Sequence, residues 1–184
     1  MQVPNLAQRC VDPLEAGSTA ILTTAARLIF AGVLLFYFWN AGVTKLGEGL
    51  FGFLNPDFGA YVQIFPKAVE AAGYDPSQLG TFHYLVVVAG TIAEFVLPAL
   101  IVLGLLTRLA ALGMIGFVIV QSATDLIGHG GWANGTFGSW FDRASDALIA
   151  DQRAFWLLLL MILVLKGPGP LSLDRLLFSP QETS

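Results

Sequence analysis

Four long apolar stretches, almost free of charged residues, constrain this chain more than any other feature. A helix of about 20 apolar residues crosses the ~30 Å hydrocarbon core of a bilayer. The fourth stretch has a purely apolar run of only 154–165, so we extend it upstream through Arg143–Arg153, with its charged first turns at the interface. Only 12% of the residues are charged, against about 25% in a soluble domain. The sequence therefore predicts an all-α integral membrane four-helix bundle, with spans at about 19–41, 81–105, 109–127 and 143–166.

Loop lengths predict how the spans connect. Only the tight turn Gly104–Arg108 separates the second span from the third, so these two should be antiparallel neighbours. The connections 42–80 and 128–142 are long and should lie on the opposite side. We therefore expect one membrane domain over residues 1–184, in up-down-up-down order. Positive charge is nearly balanced between the sides, and Arg27 favours cytoplasmic termini.

The segments outside the spans carry two further signals. Residues 1–17 lack the charged-then-apolar order of a signal peptide, so the first span should serve as the insertion signal. In the first long loop, Asn55-Pro56-Asp57 is typical of a helix start, and apolar residues follow at helical spacing until Pro66. This pattern predicts a short amphipathic hairpin at the membrane interface.

Composition excludes several functions. The net charge of −4 offers no basic patch for nucleic acid. The single cysteine, Cys10, cannot form an internal disulfide or hold an iron–sulfur cluster. No metal-ligand spacing is present. The sequence GEGLFG at Gly47–Gly52 matches a dinucleotide-binding motif, but that motif must follow a β-strand and this one follows a membrane helix. We therefore expect no metal, flavin or iron–sulfur site in this chain.

Two ionisable residues lie inside predicted spans, where charge is costly and indicates either function or pairing. Arg27 should lie ~12 Å and Glu94 ~16 Å from the same side of the membrane. These depths predict a salt bridge between them. It is either a structural pair that fixes helix register, or a proton or ligand site in which Glu94 titrates and Arg27 assists as a catalytic pair.

Aromatic residues concentrate on the long-loop side, where all the tryptophans and tyrosines fall. An aromatic belt normally serves both interfaces, so this asymmetry suggests a cap over a pocket or a surface for docking a partner. Alternatively, the long loops simply offer more room for aromatic residues. The residues are Trp39, Trp132, Trp140, Trp156, Tyr37, Tyr61, Tyr74 and Tyr84.

Polar residues near the same side form a candidate binding site. Gln121 and Asp125 share one helix face at i, i+4 spacing. A histidine, an acid and a lysine beneath aromatic residues would hydrogen-bond a quinone headgroup and manage its protons. The alternative is an ordinary set of interfacial polar residues. Haem ligation by the two histidines is disfavoured, because His129 lies in a glycine-rich stretch. The candidates for quinone binding are Lys45, His83, Asp125 and Trp39.

Short motifs spread over about 25–177 resemble the DoxX family of small four-helix membrane proteins. This family includes quinol oxidase subunits and relatives of the small subunit of thiosulfate:quinone oxidoreductase. The resemblance includes the glutamate of the second span and the lysine that follows the first. The matching segments are Ala26–Leu28, Gly42–Leu46, Ala93–Phe95, Leu103–Ala111 and Gly167–Asp174.

The resemblance implies a subunit of the prokaryotic inner membrane that is associated with a quinone-linked oxidoreductase. Such a subunit would anchor a redox partner and contribute a quinone site. Because this chain has no visible flavin, iron–sulfur or secure haem site, a partner protein would carry the electron-transfer cofactor. The alternative is a non-enzymatic membrane scaffold or assembly factor that docks a partner through its aromatic residues.

Overall fold

The computed structural model describes residues 6–178, with side chains from Gly17 onward. All regular structure in this part of the chain is helical. Cys10 and the rest of residues 1–16 lie outside the described side chains. Three π-helical turns, at 31–35, 124–128 and 148–153, continue or open the long helices. The α-helices are α1 (Leu6–Phe30), α2 (Phe36–Val43), α3 (Phe58–Ile64), α4 (Pro66–Ala71), α5 (Thr81–Leu103), α6 (Thr107–Ala123), α7 (Ala154–Lys166) and α8 (Leu173–Phe178).

Four helical segments are long and apolar enough to cross a membrane, which confirms the predicted all-α membrane protein. We name them span 1 (Gly17–Val43), span 2 (Thr81–Leu103), span 3 (Thr107–Gly128) and span 4 (Leu148–Lys166). The first three begin and end within two residues of the predicted bounds, but span 4 does not begin at Arg143. Residues 144–147 are not helical, and the Asp151 carboxylate accepts a hydrogen bond from the Ala147 N–H where the helix starts.

The spans form a bundle in which each packs against two others: span 1 on spans 2 and 4, and span 3 on the same two. Large side chains from spans 1, 3 and 4 fill the interior and are inaccessible to solvent, including Phe30, Phe38, Met114 and Leu160. The outer faces expose apolar residues such as Leu28, Val33 and Leu112, as expected of surfaces that contact lipid tails.

One end of the bundle is tied together by the tight turn and the tail. Gly104 ends span 2 with φ +68°, a left-handed conformation that glycine adopts without steric cost. The Asp174 carboxylate accepts hydrogen bonds from the N–H groups of Leu106 and Thr107, which caps the start of span 3. These contacts bring the segment after span 4 beside the turn between spans 2 and 3. They favour the up-down-up-down order, which remains a prediction.

The first long loop contains the expected pair of short helices. Asp57 caps α3, since its side chain accepts from the Gly59 N–H, and Pro66 opens α4. Asp75 caps a short 3-10 turn at Pro76–Gln78, so α5 begins only at Thr81. Hydrogen bonds from Ser77 hold the pKa of the Asp75 carboxyl below its usual value.

Candidate functional site

A cavity of about 470 Å³ lies between spans 2 and 3 and opens on the outer surface of the bundle. Small residues leave the space between the two helices, and the walls are mostly apolar. Polar side chains concentrate towards the loop end. The size and the mixture of apolar walls with a few polar groups are typical of a small-molecule site. The lining residues include Lys45, Gln63, Ile64, Ala89, Gly90, Ala93, Glu94, Leu97, Gly113, Gly116, Phe117, Gln121, Asp125 and His129.

A buried ion pair between Lys45 and Glu94 lies in the wall of this cavity. Lys45 follows the end of α2, and its side chain folds back so that Nζ donates to the Ala41 carbonyl oxygen at 2.9 Å. Nζ also lies 2.9 and 3.0 Å from the two carboxylate oxygens of Glu94, on span 2. The side chains are 7% and 4% exposed. All three N–H donors of the ammonium are therefore used, and Lys45 neutralises and orients the carboxylate.

A second ion pair reaches the cavity from the other side. Asp125, on the π turn that ends span 3, accepts from Arg153 Nη2 at 2.6 Å. Arg153 ends the π turn that opens span 4 and is only 2% exposed; its Nη1 donates to Ser122 Oγ. Arg153 therefore lies in the first turns of span 4, as predicted, but its side chain is buried in the protein, and its position at the membrane interface stays a prediction. Burial of this charge is tolerated because a carboxylate and a hydroxyl meet it.

Gln121 adds a neutral polar group to the same wall. Its Nε2 donates to the Tyr37 hydroxyl oxygen at 3.3 Å, which joins span 3 to span 1. Its Oε1 is buried and has no hydrogen-bond partner among residues 17–178. Since native structures rarely leave such atoms unpaired, this amide is available to a ligand or a water molecule.

The loop end of the cavity is covered by α3 and by the residues that follow span 3. Gln63 and Ile64, at the end of α3, line the cavity together with His129. The His129 ring donates from Nε2 to the Gln63 carbonyl oxygen at 2.9 Å. Sequence reasoning did not assign α3 to the site, since only the folding of the loop brings its last turn over spans 2 and 3.

The predicted Arg27–Glu94 salt bridge is absent, because each residue bonds to other groups. Arg27 donates to the carbonyl oxygens of Ile101 and Val102 at the end of span 2, and to those of Pro168 and Leu171 in the tail. Ile101 lies seven residues, or about 10 Å, along the helix from Glu94. The long arginine side chain therefore reaches polar carbonyls near the tail end of the bundle.

The remaining predicted site residues lie outside the cavity. His83 packs against the rings of Phe65 and Phe82, and Trp39 donates from Nε1 to the Phe95 carbonyl oxygen. No tryptophan or tyrosine lines this cavity. The aromatic cap over a pocket stays a prediction. Among the described residues, no three histidine, cysteine or acidic side chains are placed to hold a metal ion.

The spans, the lateral cavity and its buried ion pairs define a polytopic helical membrane protein with a charged site between two of its helices. Comparison with protein families gives one match, to the DoxX family model, over residues 22–126. Because this match covers more than half of the chain, the protein belongs to the DoxX family. No curated protein and no solved structure matches the chain. The matched region includes Lys45, Glu94, Gln121 and Asp125, whereas Arg153 lies beyond it.

Proposed function

We propose that this protein is a membrane subunit of a quinone-linked oxidoreductase and that the cavity between spans 2 and 3 holds the quinone headgroup. The observation that carries the proposal is the combination of an apolar cavity open to the side of the bundle with two carboxylates and a glutamine in its walls. The resemblance to quinone-linked members of the DoxX family supports it.

The cavity residues suit the chemistry of a quinone headgroup. Its flat ring requires apolar contacts, which Leu97 and Phe117 supply. Its two oxygens require hydrogen-bond partners. Gln121 has one N–H that is not used by Tyr37 and an unpaired oxygen, so this amide serves either a carbonyl or a hydroxyl oxygen.

The two carboxylates are suited to hold protons that accompany quinone reduction or oxidation. Glu94 and Asp125 each accept from a basic residue, and each has further lone pairs for a ligand hydroxyl. A bound quinone would supply the electron-accepting chemistry. The chain would bind it, exclude water and hold protons at the Glu94 and Asp125 oxygens.

The electron-transfer cofactor would belong to a partner protein, which this subunit anchors in the membrane. We place the subunit in the prokaryotic inner membrane with its termini in the cytoplasm, as the slight excess of positive charge on that side favours. This orientation is tested in intact cells by labelling cysteines introduced after span 4 and in the first loop. Labelling of the tail from outside the cell would contradict it.

The proposal is tested by extracting bound lipids from the full chain, purified in mild detergent, and identifying quinones by mass spectrometry. We expect quinone to co-purify with the wild-type protein. The amount that co-purifies should be smaller for Glu94→Gln and for Gln121→Leu. Gln152→Leu is the matched control, because Gln152 bonds to Asp146 outside the cavity. Absence of quinone from the wild-type protein, together with absence of a redox protein in a native pulldown, contradicts the proposal.

A second candidate is a scaffold or assembly factor that docks a partner through aromatic residues. One observation favours it: in the loop between spans 3 and 4, Trp132 and Trp140 are 64% and 68% exposed, and Phe141 is fully exposed. The double substitution Trp132→Ala, Trp140→Ala separates the two candidates. A scaffold loses its partner and has no bound quinone to lose, whereas a quinone subunit retains its quinone.

A further inference from the structure

The outward opening of the cavity lies near the middle of the membrane-spanning region. Gly116 is nine residues from the start of span 3 and twelve from its end, which are about 13 and 18 Å along the helix. Gly113, Gly116 and Ala89 line the cavity and are exposed on the outer face of the bundle. At this depth the surroundings are lipid tails.

The opening exists because the facing side chains are small. A Cβ added at Gly116 would meet no atom within 4 Å, whereas one at Gly113 would approach the Leu97 side chain at 3.2 Å. Span 2 contributes Ala89, Gly90 and Ala93 to the opposite wall. The gap therefore closes towards Gly113 and is open beside Gly116, level with the buried Lys45–Glu94 pair.

The loop end offers a less direct route. There α3 covers the cavity, with Gln63 and Ile64 in its wall and the His129–Gln63 hydrogen bond joining the loop to the end of span 3. A ligand that came from water would have to displace this contact. One that came from the bilayer would meet apolar side chains, with the small residues Ala89, Gly113 and Gly116 at the exposed opening.

We propose that the ligand enters from the bilayer between spans 2 and 3, and that its apolar chain remains in this opening beside Gly116. This inference rests on the proposed quinone site. It extends that proposal by stating that the opening selects the apolar chain of the ligand. The ligand class is an amphiphile with a compact polar head and a long apolar chain. Gly116 and Ala89 determine specificity, since larger residues there would exclude the chain while leaving the polar groups in place.

The test compares two quinones on the purified full chain in lipid nanodiscs: a long-chain ubiquinone and its single-isoprene analogue. Gly116→Leu places a branched side chain in the opening. The matched control is Gly32→Leu, because Gly32 is also exposed on a span, and a Cβ there would meet no atom within 4 Å. Both substitutions raise helix propensity, so neither should prevent folding. Ala89→Leu on span 2 provides a second variant that narrows the opening.

We expect Gly116→Leu and Ala89→Leu to bind the long-chain quinone about tenfold more weakly, since each methylene that loses burial costs roughly fourfold in affinity. The single-isoprene analogue should bind all variants within about twofold of wild type, and Gly32→Leu should match wild type with both quinones. Unchanged long-chain binding in folded Gly116→Leu and Ala89→Leu overturns the lateral opening but leaves the proposed function standing. Equal loss of both quinones also overturns it. If wild type binds neither quinone, the proposed function fails as well.

Discussion

Removing only one member of the Lys45–Glu94 ion pair should destabilise the protein far more than removing both. Lys45→Met leaves the Glu94 carboxylate buried without its cation, and Glu94→Leu leaves the ammonium with only the Ala41 carbonyl. The double substitution replaces both charges by apolar side chains of similar size. A buried pair exchanged in this way is often neutral for stability, whereas a single stranded charge is not.

The geometry gives the expected magnitude. At 2.9 Å and an effective dielectric constant of about 20, the attraction between the two charges is about 6 kcal/mol. Most of it offsets the cost of removing both groups from water, and breaking such a pair costs about 3–5 kcal/mol. At about 2–4 °C per kcal/mol for a chain of this size, each single variant should lose about 6–20 °C in Tm. The free energy of unfolding of the double variant should lie within about 1 kcal/mol of the wild-type value.

The assay is thermal unfolding in mild detergent, followed by tryptophan fluorescence. Lys67→Met serves as the charge control, because Lys67 lies exposed in α4, and it should change stability by less than about 0.5 kcal/mol. If the double variant loses as much as the two single variants added together, the residues are not coupled and the reasoning about the pair is refuted.

Three further substitutions test contacts elsewhere in the bundle by the same unfolding assay. Arg27→Met removes the donor to four carbonyl oxygens and should cost about 3 kcal/mol of stability. A variant as stable as wild type would show that water replaces the guanidinium and would contradict this expectation. Asp174→Ala removes the cap of span 3 and should cost about 1–2 kcal/mol, while Asp174→Asn should retain part of the effect. Gly42→Ala places a Cβ 2.6 Å from the Phe95 ring, so it should cost about 1–3 kcal/mol, and Phe95→Leu in the same chain should restore part of the loss.

The helical spans could be predicted from the sequence because burial in lipid imposes a length and an absence of charge that local sequence displays directly. The tight turn after span 2 was equally predictable, since Gly104 supplies the left-handed residue that ends a helix. The start of span 4 was not. There a side chain, Asp151, accepts from the Ala147 N–H and fixes the helix start inside a stretch that polarity alone assigns to the span.

The partners of the buried charges could not be predicted, because they depend on how the spans are displaced along one another. Counting residues from each span end placed Arg27 and Glu94 at similar depths. In the structure, Trp39 bonds to Phe95, so the last turns of span 1 lie beside the middle of span 2. This displacement brings Lys45, just beyond its helix, to Glu94. Hydropathy carries no information on such displacements. A close contact such as that of Gly42 with the Phe95 ring does indicate the displacement, but only once the two contacting residues are known.

The two ion pairs share one arrangement, which bears on what the cavity can hold. Each carboxylate belongs to one of the helices that form the cavity, Glu94 on span 2 and Asp125 on span 3. The bases come from outside these two helices, Lys45 from just beyond the end of span 1 and Arg153 from the first turns of span 4. The cavity is therefore lined by acids whose charge is balanced by bases from outside the two helices that form it. A neutral ligand meets hydrogen-bond acceptors without net charge, and a proton released there has two carboxylates to receive it. An anionic ligand would gain little, since both cations are already paired, which favours a neutral headgroup such as a quinone over a charged one.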